Sequence, residues 1–317
     1  MNMKKTILLL FTLLNLVGCM FSSAHKTKKN FPPDHFFDGA DLPMARAIYE
    51  NNAPAITTML RSGGYDANTS GSKIESAYGR RPNRYTYLGY AVLVGSGKAA
   101  EALLQAGANV NGVSVQDNLG ICSNIGMACS NKSMPMIKLL LQYHVNLNPP
   151  LCWSPIHDLL VADMGRPAIA LLLDKGADLN HPEYTGGDVV VTAALNMEAF
   201  DEVHYFLDKG ADPMLVDAGG NSLAYLVQTE IEGGRLSDYG LKEYNKIKDR
   251  LVREFNVKFP VHRERKKGLE ACIARYEHLS AADKALLGDA EAKGIQGLKD
   301  AIANGVDNLG RPLEPDL

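Results

Sequence analysis

Short apolar runs of helical periodicity alternate along the chain with small, polar turn-forming clusters, and the alternation repeats. Ala102, Leu103 and Leu104 run into QAGANVN at residues 105–111; DKGADLN at 174–180, DKGADPM at 208–214 and the looser QYHVNLN at 142–148 close similar leucine-rich stretches. Apolar residues at this spacing predict an amphipathic helix. A glycine followed by Asn or Asp predicts its end in a left-handed turn, with Gly107, Gly176 and Gly210 as the stops. Upstream of each stretch lies a second apolar segment, opened by proline or a small polar residue that suits a helix start. These openings are Leu42-Pro-Met-Ala-Arg-Ala47, Thr86-Tyr-Leu-Gly-Tyr-Ala91, Ser123-Asn-Ile-Gly-Met-Ala128, Ser154-Pro-Ile-His-Asp-Leu159 and Val189-Val-Val-Thr-Ala-Ala194, spaced by 44, 37, 31 and 35 residues. Each copy reads as two helices and a turn, which cannot bury its apolar face alone, so the copies must stack. A sixth opens at Asn221-Ser-Leu-Ala-Tyr-Leu226 and ends in KEYNKIKDRLVREF, and a degenerate seventh spans Lys284 to Asn308, where AIANGVDN echoes the close.

The pattern resembles the ankyrin repeat, with its T-P-L-H-x-A opening, paired leucines and G-A-D-x-N close on a period near 33. The resemblance implies an all-α ankyrin-repeat solenoid of five to seven repeats, with the main array over residues 39–260 and the degenerate repeat in the segment after it. Residues 261–317 are then a helical C-terminal cap, in which HRERKKGLEACIARYEHL reads as a basic amphipathic helix. His144 stands where the third copy should have glycine, which weakens that copy. His157 occupies the T-P-L-H histidine position, where the family uses it to hydrogen-bond the turn, so a structural role is implied despite the adjacent Asp158.

The first residues carry a different message. Lys4 and Lys5 precede an uncharged run from Thr6 to Ala24 whose apolar core ends at Val17. That is a secretory signal, too short to span a bilayer as a helix. Leu16, Val17, Gly18 and Cys19 resemble a lipobox, which implies removal of residues 1–18 and acylation of Cys19. The alternative is a plain secretory signal with a chance cysteine. In the sorting rule the resemblance implies, Met20 in place of aspartate sends the protein to the outer membrane, on its periplasmic face. Residues 19–38, with Lys26, Lys28, Lys29, Pro32 and Pro33 and no helical periodicity, read as a lipidated tether; Met20 to Phe37 would reach at most ~60 Å.

Composition narrows the function. With 317 residues, 46 % hydrophobic and 22 % charged, the chain is a folded protein and not a disordered, collagenous or polytopic one. A formal charge of −3 argues against nucleic acid, and one tryptophan with 7 % aromatics argues against a carbohydrate or base-stacking platform. The nucleophile-elbow, phosphate-loop and zinc-protease motifs are absent, so the expectation is a chain that is not an enzyme, has no metal site and needs no cofactor beyond a covalent lipid. His35, His181, His204 and His278 lack ligand spacing. Cys129 reads as a packed thiol. Cys122 and Cys152 precede consecutive openings and could pair, although stacked repeats about 10 Å apart exceed the ~7 Å limit of a disulfide. Cys272 has no evident partner.

The long first interval is the informative departure. Its excess lies in TSGSKIESAYGRRPNRYTY, with Tyr78, Arg80, Arg81, Arg84 and Tyr85. Arg and Tyr combine contact area with directed hydrogen bonds, which suits a binding finger; the competing reading is a solvated insertion. Ankyrin proteins bind through their tips and inner helix face. Further tips at Val115 to Asn118 with Gln116 and Asp117, around Trp153, and at Glu183 to Asp188 with Tyr184 would line the same edge. The sequence therefore leads to a periplasm-facing, lipid-anchored protein-binding module. It is similar to ankyrin lipoproteins that act as immunity proteins against type VI secretion phospholipase effectors, which implies such an effector as partner. The alternative is an outer-membrane scaffold recruiting a resident envelope enzyme or assembly factor.

Overall fold

The computed structural model describes residues 28–71, 84–116, 120–184 and 186–313. The chain divides into two compact units, Met1–Ala177 and Asp178–Leu317. The signal segment 1–18, Cys19, Tyr78, Arg80, Arg81 and Asp117 lie outside the described residues.

Unit 1 holds four helix pairs: α1 (Leu42–Tyr49) with α2 (Ala53–Arg61), α3 (Tyr87–Leu93) with α4 (Gly97–Gln105), α5 (Asn124–Ser130) with α6 (Met134–Gln142), and α7 (Pro155–Val161) with α8 (Arg166–Asp174). The first helices α1, α3, α5 and α7 pack in one row, while α2, α4 and α6 pack in a second. The residues that open each repeat start the helices. Thr86 Oγ1 accepts from Gly89 N–H at 2.9 Å, Ser123 Oγ from Gly126 N–H at 3.1 Å and Ser154 Oγ from Ile156 N–H at 3.3 Å, each satisfying an N–H that the helix itself leaves orphaned.

The helices stop as their sequence requires. Gly107 has φ +90°, and its N–H and that of Ala108 bond back to the carbonyls of Leu104 and Leu103; Gly176 with Ala177 repeats the turn. His144 takes the same turn at φ +56°, with bonds to Leu141 and Leu140, so the third copy closes like its neighbours at the cost of a side chain in a left-handed conformation.

The polar pair in each close then ties repeats together. Asn109 Oδ1 accepts from Asn111 N–H and Asn146 Oδ1 from Asn148 N–H, local turns that fix the chain after each helix. The second member reaches across. Asn68 donates to Gly107 O at 3.3 Å and accepts from Asn109 N–H at 2.7 Å, Asn111 accepts from Asn146 N–H at 2.7 Å, and Asn148 donates to Gly176 O at 3.1 Å.

The tether expectation needs correction from Lys28 onward. Phe37 is fully buried, with ring centroids 5.6 Å from Tyr87 and 5.1 Å from Tyr90, and Phe36 packs edge-on to Tyr85 at 5.1 Å. Tyr90 donates its hydroxyl to Phe31 O at 2.7 Å and Tyr87 donates to Asp41 Oδ1 at 2.6 Å. The segment FPPDHFF carries three phenylalanines, apolar area that a solvated linker has no use for, and burying it drives residues 31–41 onto α3 as an N-terminal cap.

Unit 2 holds two more pairs, α9 (Val190–Asn196) with α10 (Phe200–Asp208) and α11 (Leu223–Glu232) with the longer α12 (Asp238–Phe255), followed by α13 (Arg265–His278), α14 (Ala281–Leu287) and α15 (Asp289–Ala303). Ser222 Oγ caps α11 by accepting from Tyr225 N–H at 3.1 Å, whereas Val189 opens α9 with no side-chain cap. Asn180 repeats the crossing seen in unit 1: it donates to Gly210 O at 3.1 Å and accepts from Asp212 N–H at 2.8 Å. The equivalent residue of the next copy is Met214, which has no amide, so the chain of crossings ends there. The AIANGVDN echo is a true closing turn. Gly305 has φ +71°, its N–H and that of Val306 bond back to Ile302 and Ala301, and Asp307 Oδ1 accepts from Leu309 N–H.

Candidate protein-binding surface

The insertion leaves unit 1 from a backbone ladder. Ser70 and Thr86 form an antiparallel bridge, with Gly71 N–H donating to Tyr85 O at 2.7 Å and Tyr87 N–H to Thr69 O at 3.2 Å. Arg84 and Val115 exchange both backbone hydrogen bonds at 2.8 Å, and Val115 belongs to a hairpin of β1 (Val113–Gln116) and β2 (Gly120–Ser123). Extended segments at 69–71, 84–87, 113–116 and 120–123 thus lie side by side along the tips. Pro149 and Pro150 follow at the next tip and have no N–H to extend the ladder.

Alternation along an extended chain sorts the residues of the finger base. Arg84 is exposed and Tyr85 is 4 % exposed, because successive side chains point to opposite faces and the Tyr85 side meets Phe36. Tyr85 is therefore a packing residue, a correction to its expected place on a binding face. Burial pushes its hydroxyl pKa well up. Gln116 ends β1, paired with Gly120.

Trp153 stands at the tip before α7, 37 % exposed, with its indole edge-on to the His157 ring at 4.3 Å. Enclosure pushes the His157 pKa down to about 4, so the imidazole is neutral at physiological pH. Its Nδ1 is buried with no hydrogen-bond partner among the described residues, so the turn bond implied by the family pattern is not made. None of Cys122, Cys129, Cys152 and Cys272 is in a disulfide; burial pushes the Cys129 and Cys152 thiols up, with Ser123 pulling the other way at Cys152.

In unit 2 the tips are covered. Tyr184 is 7 % exposed and donates to Glu291 of α15 at 3.1 Å, which corrects its expected place on the binding edge. A Cβ on Gly187 would lie 2.7 Å from an Arg275 nitrogen, and one on Gly268 would lie 2.5 Å from Asp217 O. Glu264 N–H donates to Gly220 O at 2.9 Å and Arg263 Nε to Gly219 O at 2.7 Å. Helix α13 therefore lies across the tips at 183–188 and 217–220. Asp188 sits beneath it, its carboxyl pushed up to about 6 by burial and by the neighbouring Asp217 and Glu183, against the pull of Arg275.

Among the described residues no group of three or more His, Cys, Asp or Glu side chains is placed to hold a metal ion, and no helix is long and apolar enough to cross a membrane.

The architecture has solved counterparts. The chain is similar to the ankyrin repeat domain of Bcl-3, a member of the IkappaB protein family, with a TM-score of 0.52, 18 % identity, and 68 % of this chain and 88 % of that one covered. Against the human ASB11 ankyrin repeat domain the TM-score is 0.45 at 20 % identity, covering 77 % and 96 %. No protein-family profile and no curated protein matches the chain. The Bcl-3 likeness, with the helix pairs and closing turns above, makes the fold an ankyrin-repeat one.

Proposed function

We propose that this ankyrin-repeat chain is a protein-binding module, anchored through acylated Cys19 to the periplasmic face of the outer membrane, which serves as an immunity protein against a type VI secretion phospholipase effector. The observation that carries the binding role is the contrast between tips. In unit 2 they lie beneath α13 and α15, while in unit 1 the ladder bearing Arg84 and the tip bearing Trp153 face solvent. Exposed Arg and Trp are the side chains most often found to dominate binding energy. Docking over an interface of about 1,600 Å² would occlude a lipase entrance sterically, with no chemistry demanded of this chain. The lipobox and the family resemblance supply the compartment and the partner.

A pull-down with residues 20–317 from periplasmic extract, supplemented with the product of the adjacent gene, tests this. Capture of a phospholipase that loses activity in the complex is the expected result; capture of resident envelope proteins instead makes the chain a scaffold. Trp153→Ala and replacement of residues 72–83 by a short Gly/Ser turn should each weaken capture at least about tenfold while the helical content stays unchanged. The replacement stops short of Gly71 and keeps a turn because Ser70 and Gly71 pair antiparallel with Thr86 and Tyr85 in the ladder. Full capture by both variants would show that the partner docks elsewhere.

A further inference from the structure

We propose that α13 is a pH-sensitive cover over the tips of unit 2, seated firmly while the Asp188 carboxyl is neutral and lifting more readily once that carboxyl carries charge. The device lies wholly within unit 2 and is independent of the anchoring at Cys19. Few contacts hold the cover. Of its 14 residues α13 buries Arg265, Gly268 and Leu269. Main-chain groups of the tips supply much of the seat: Glu264 N–H donates to Gly220 O at 2.9 Å, Arg263 Nε donates to Gly219 O at 2.7 Å, and Gly268 passes so close that a Cβ there would lie 2.5 Å from Asp217 O. Tyr184 adds a hydrogen bond to Glu291 of α15, which packs on α13. A segment that buries so little apolar area opens locally at a cost well below that of unfolding the unit.

Beneath the cover the two tips are joined by Ala218 N–H, which donates to Gly186 O at 2.7 Å, and carboxylates gather there. A Cβ on Gly186 would lie 3.0 Å from Asp188 Oδ2 and 3.6 Å from Glu183 Oε2, so both groups flank one point. Asp217 is satisfied, its oxygens accepting from Asn221 N–H at 2.8 Å and Asn221 Nδ2 at 2.7 Å. Arg275 of α13 is the cation facing Asp188, yet its Nη2 donates to Cys272 Sγ at 3.0 Å. The Asp188 carboxyl makes no hydrogen bond or ion pair among the described residues. Tyr184, Cys272, Tyr276 and Glu291 are the other titratable groups at the seat; burial pushes the Tyr184 hydroxyl and the Cys272 thiol up, so both stay neutral at physiological pH. A buried carboxylate with two like charges beside it and no bonded partner is costly, and the cost is relieved by a proton or by water let in under a lifted cover. Covered, the Asp188 carboxyl is raised to about 6; in water it returns toward 3.8. The hold of the cover is therefore greatest in acid and weakens as pH rises through about 6, by about tenfold between pH 5 and 7.5. Lifting bares the tips at 183–188 and 217–220 as an acidic edge.

The experiment measures amide protection factors in the full-length protein at pH 5 and 7.5, over both tips, the first turns of α13 and, as a reference, α9. From pH 5 to 7.5 protection at 183–188, at 217–220 and at 265–271 should fall together by about tenfold, with α9 unchanged. Asp188→Asn, which cannot ionise, should abolish the fall at all three places. Glu183→Gln removes one like charge and should shrink the fall by about half, which keeps the test decisive if Asp188→Asn does not fold. A wild-type protein without the fall, a fall that persists unchanged in either variant, or a fall at 183–188 unaccompanied by 217–220 and α13 overturns the proposal.

Discussion

Asn180 joins two repeats with a pair of hydrogen bonds, one from its amide nitrogen to Gly210 O and one to its amide oxygen from Asp212 N–H. Asn68 does the same with Gly107 and Asn109. Both sites are solvent-exposed, so each bond contributes near the lower end of the usual range, and Asn→Ala at either should destabilise by about 1–2 kcal/mol in urea unfolding. Asn180→Asp keeps the acceptor and loses the donor, so it should fall between wild type and Asn180→Ala; stability equal to wild type in the alanine variants would mean that the crossings carry nothing. The repetition of Asn at this place was legible as a motif. Its reach into the following repeat was not, because a hydrogen bond between residues some 30 to 40 apart depends on the stacking distance. Tyr85 and Arg84 teach the same lesson at one turn: their types were readable as contact residues, but which of two adjacent side chains faces solvent was settled by Phe36.

Individual elements answer pH in opposite directions. His157, at the start of α7, is held neutral with its pKa lowered to about 4, so the stability it lends unit 1 is complete above its ordinary value of 6.5 and is lost as pH falls through about 4. Asp188, under α13, has its pKa raised from 3.8 to about 6, so its contribution is complete below 3.8 and is lost as pH rises through about 6. Between pH 7.5 and 4.5, amide protection factors around 154–161, which are corrected for the intrinsic slowing of exchange in acid, should therefore fall by more in wild type than in His157→Gln. Protection factors at 183–188 should rise on acidification in wild type, and Asp188→Asn should lose that response. Matching pH profiles for Asp188→Asn and wild type would refute the buried-carboxylate account. The helix α13 itself was readable from its sequence, but its seat was not. Gly268 and Gly187 permit the close approach because they lack a Cβ, and glycine at those places looks in sequence like any other turn or helix breaker.

At the scale of the whole molecule, both ends of the folded chain turn back on repeats. Residues 31–41 cover α3 in unit 1, and α13 to α15 cover the tips of unit 2. Terminal repeats present apolar faces that no further copy covers, and capping segments are the general remedy. Truncation after Pro260 should consequently lower the unfolding midpoint of unit 2 and raise amide exchange at 183–188 and 217–220, while protection of α3 and α5 in unit 1 stays unchanged; unaltered exchange at both tips would show that α13 contributes no cover. The helix pairs and their closing turns were determined locally, because capping, helical periodicity and left-handed glycine act over a few residues and recur from copy to copy, while the repeat number stood at five to seven because the intervals vary from 31 to 44 residues. Tertiary structure alone decided that FPPDHFF is a cap and not a tether, that Tyr85 and Tyr184 are buried, and that the open tips belong to unit 1. Each of those outcomes depends on which surfaces meet across tens to a hundred residues of chain, where burial of apolar area and exclusion of water override what any short stretch prefers.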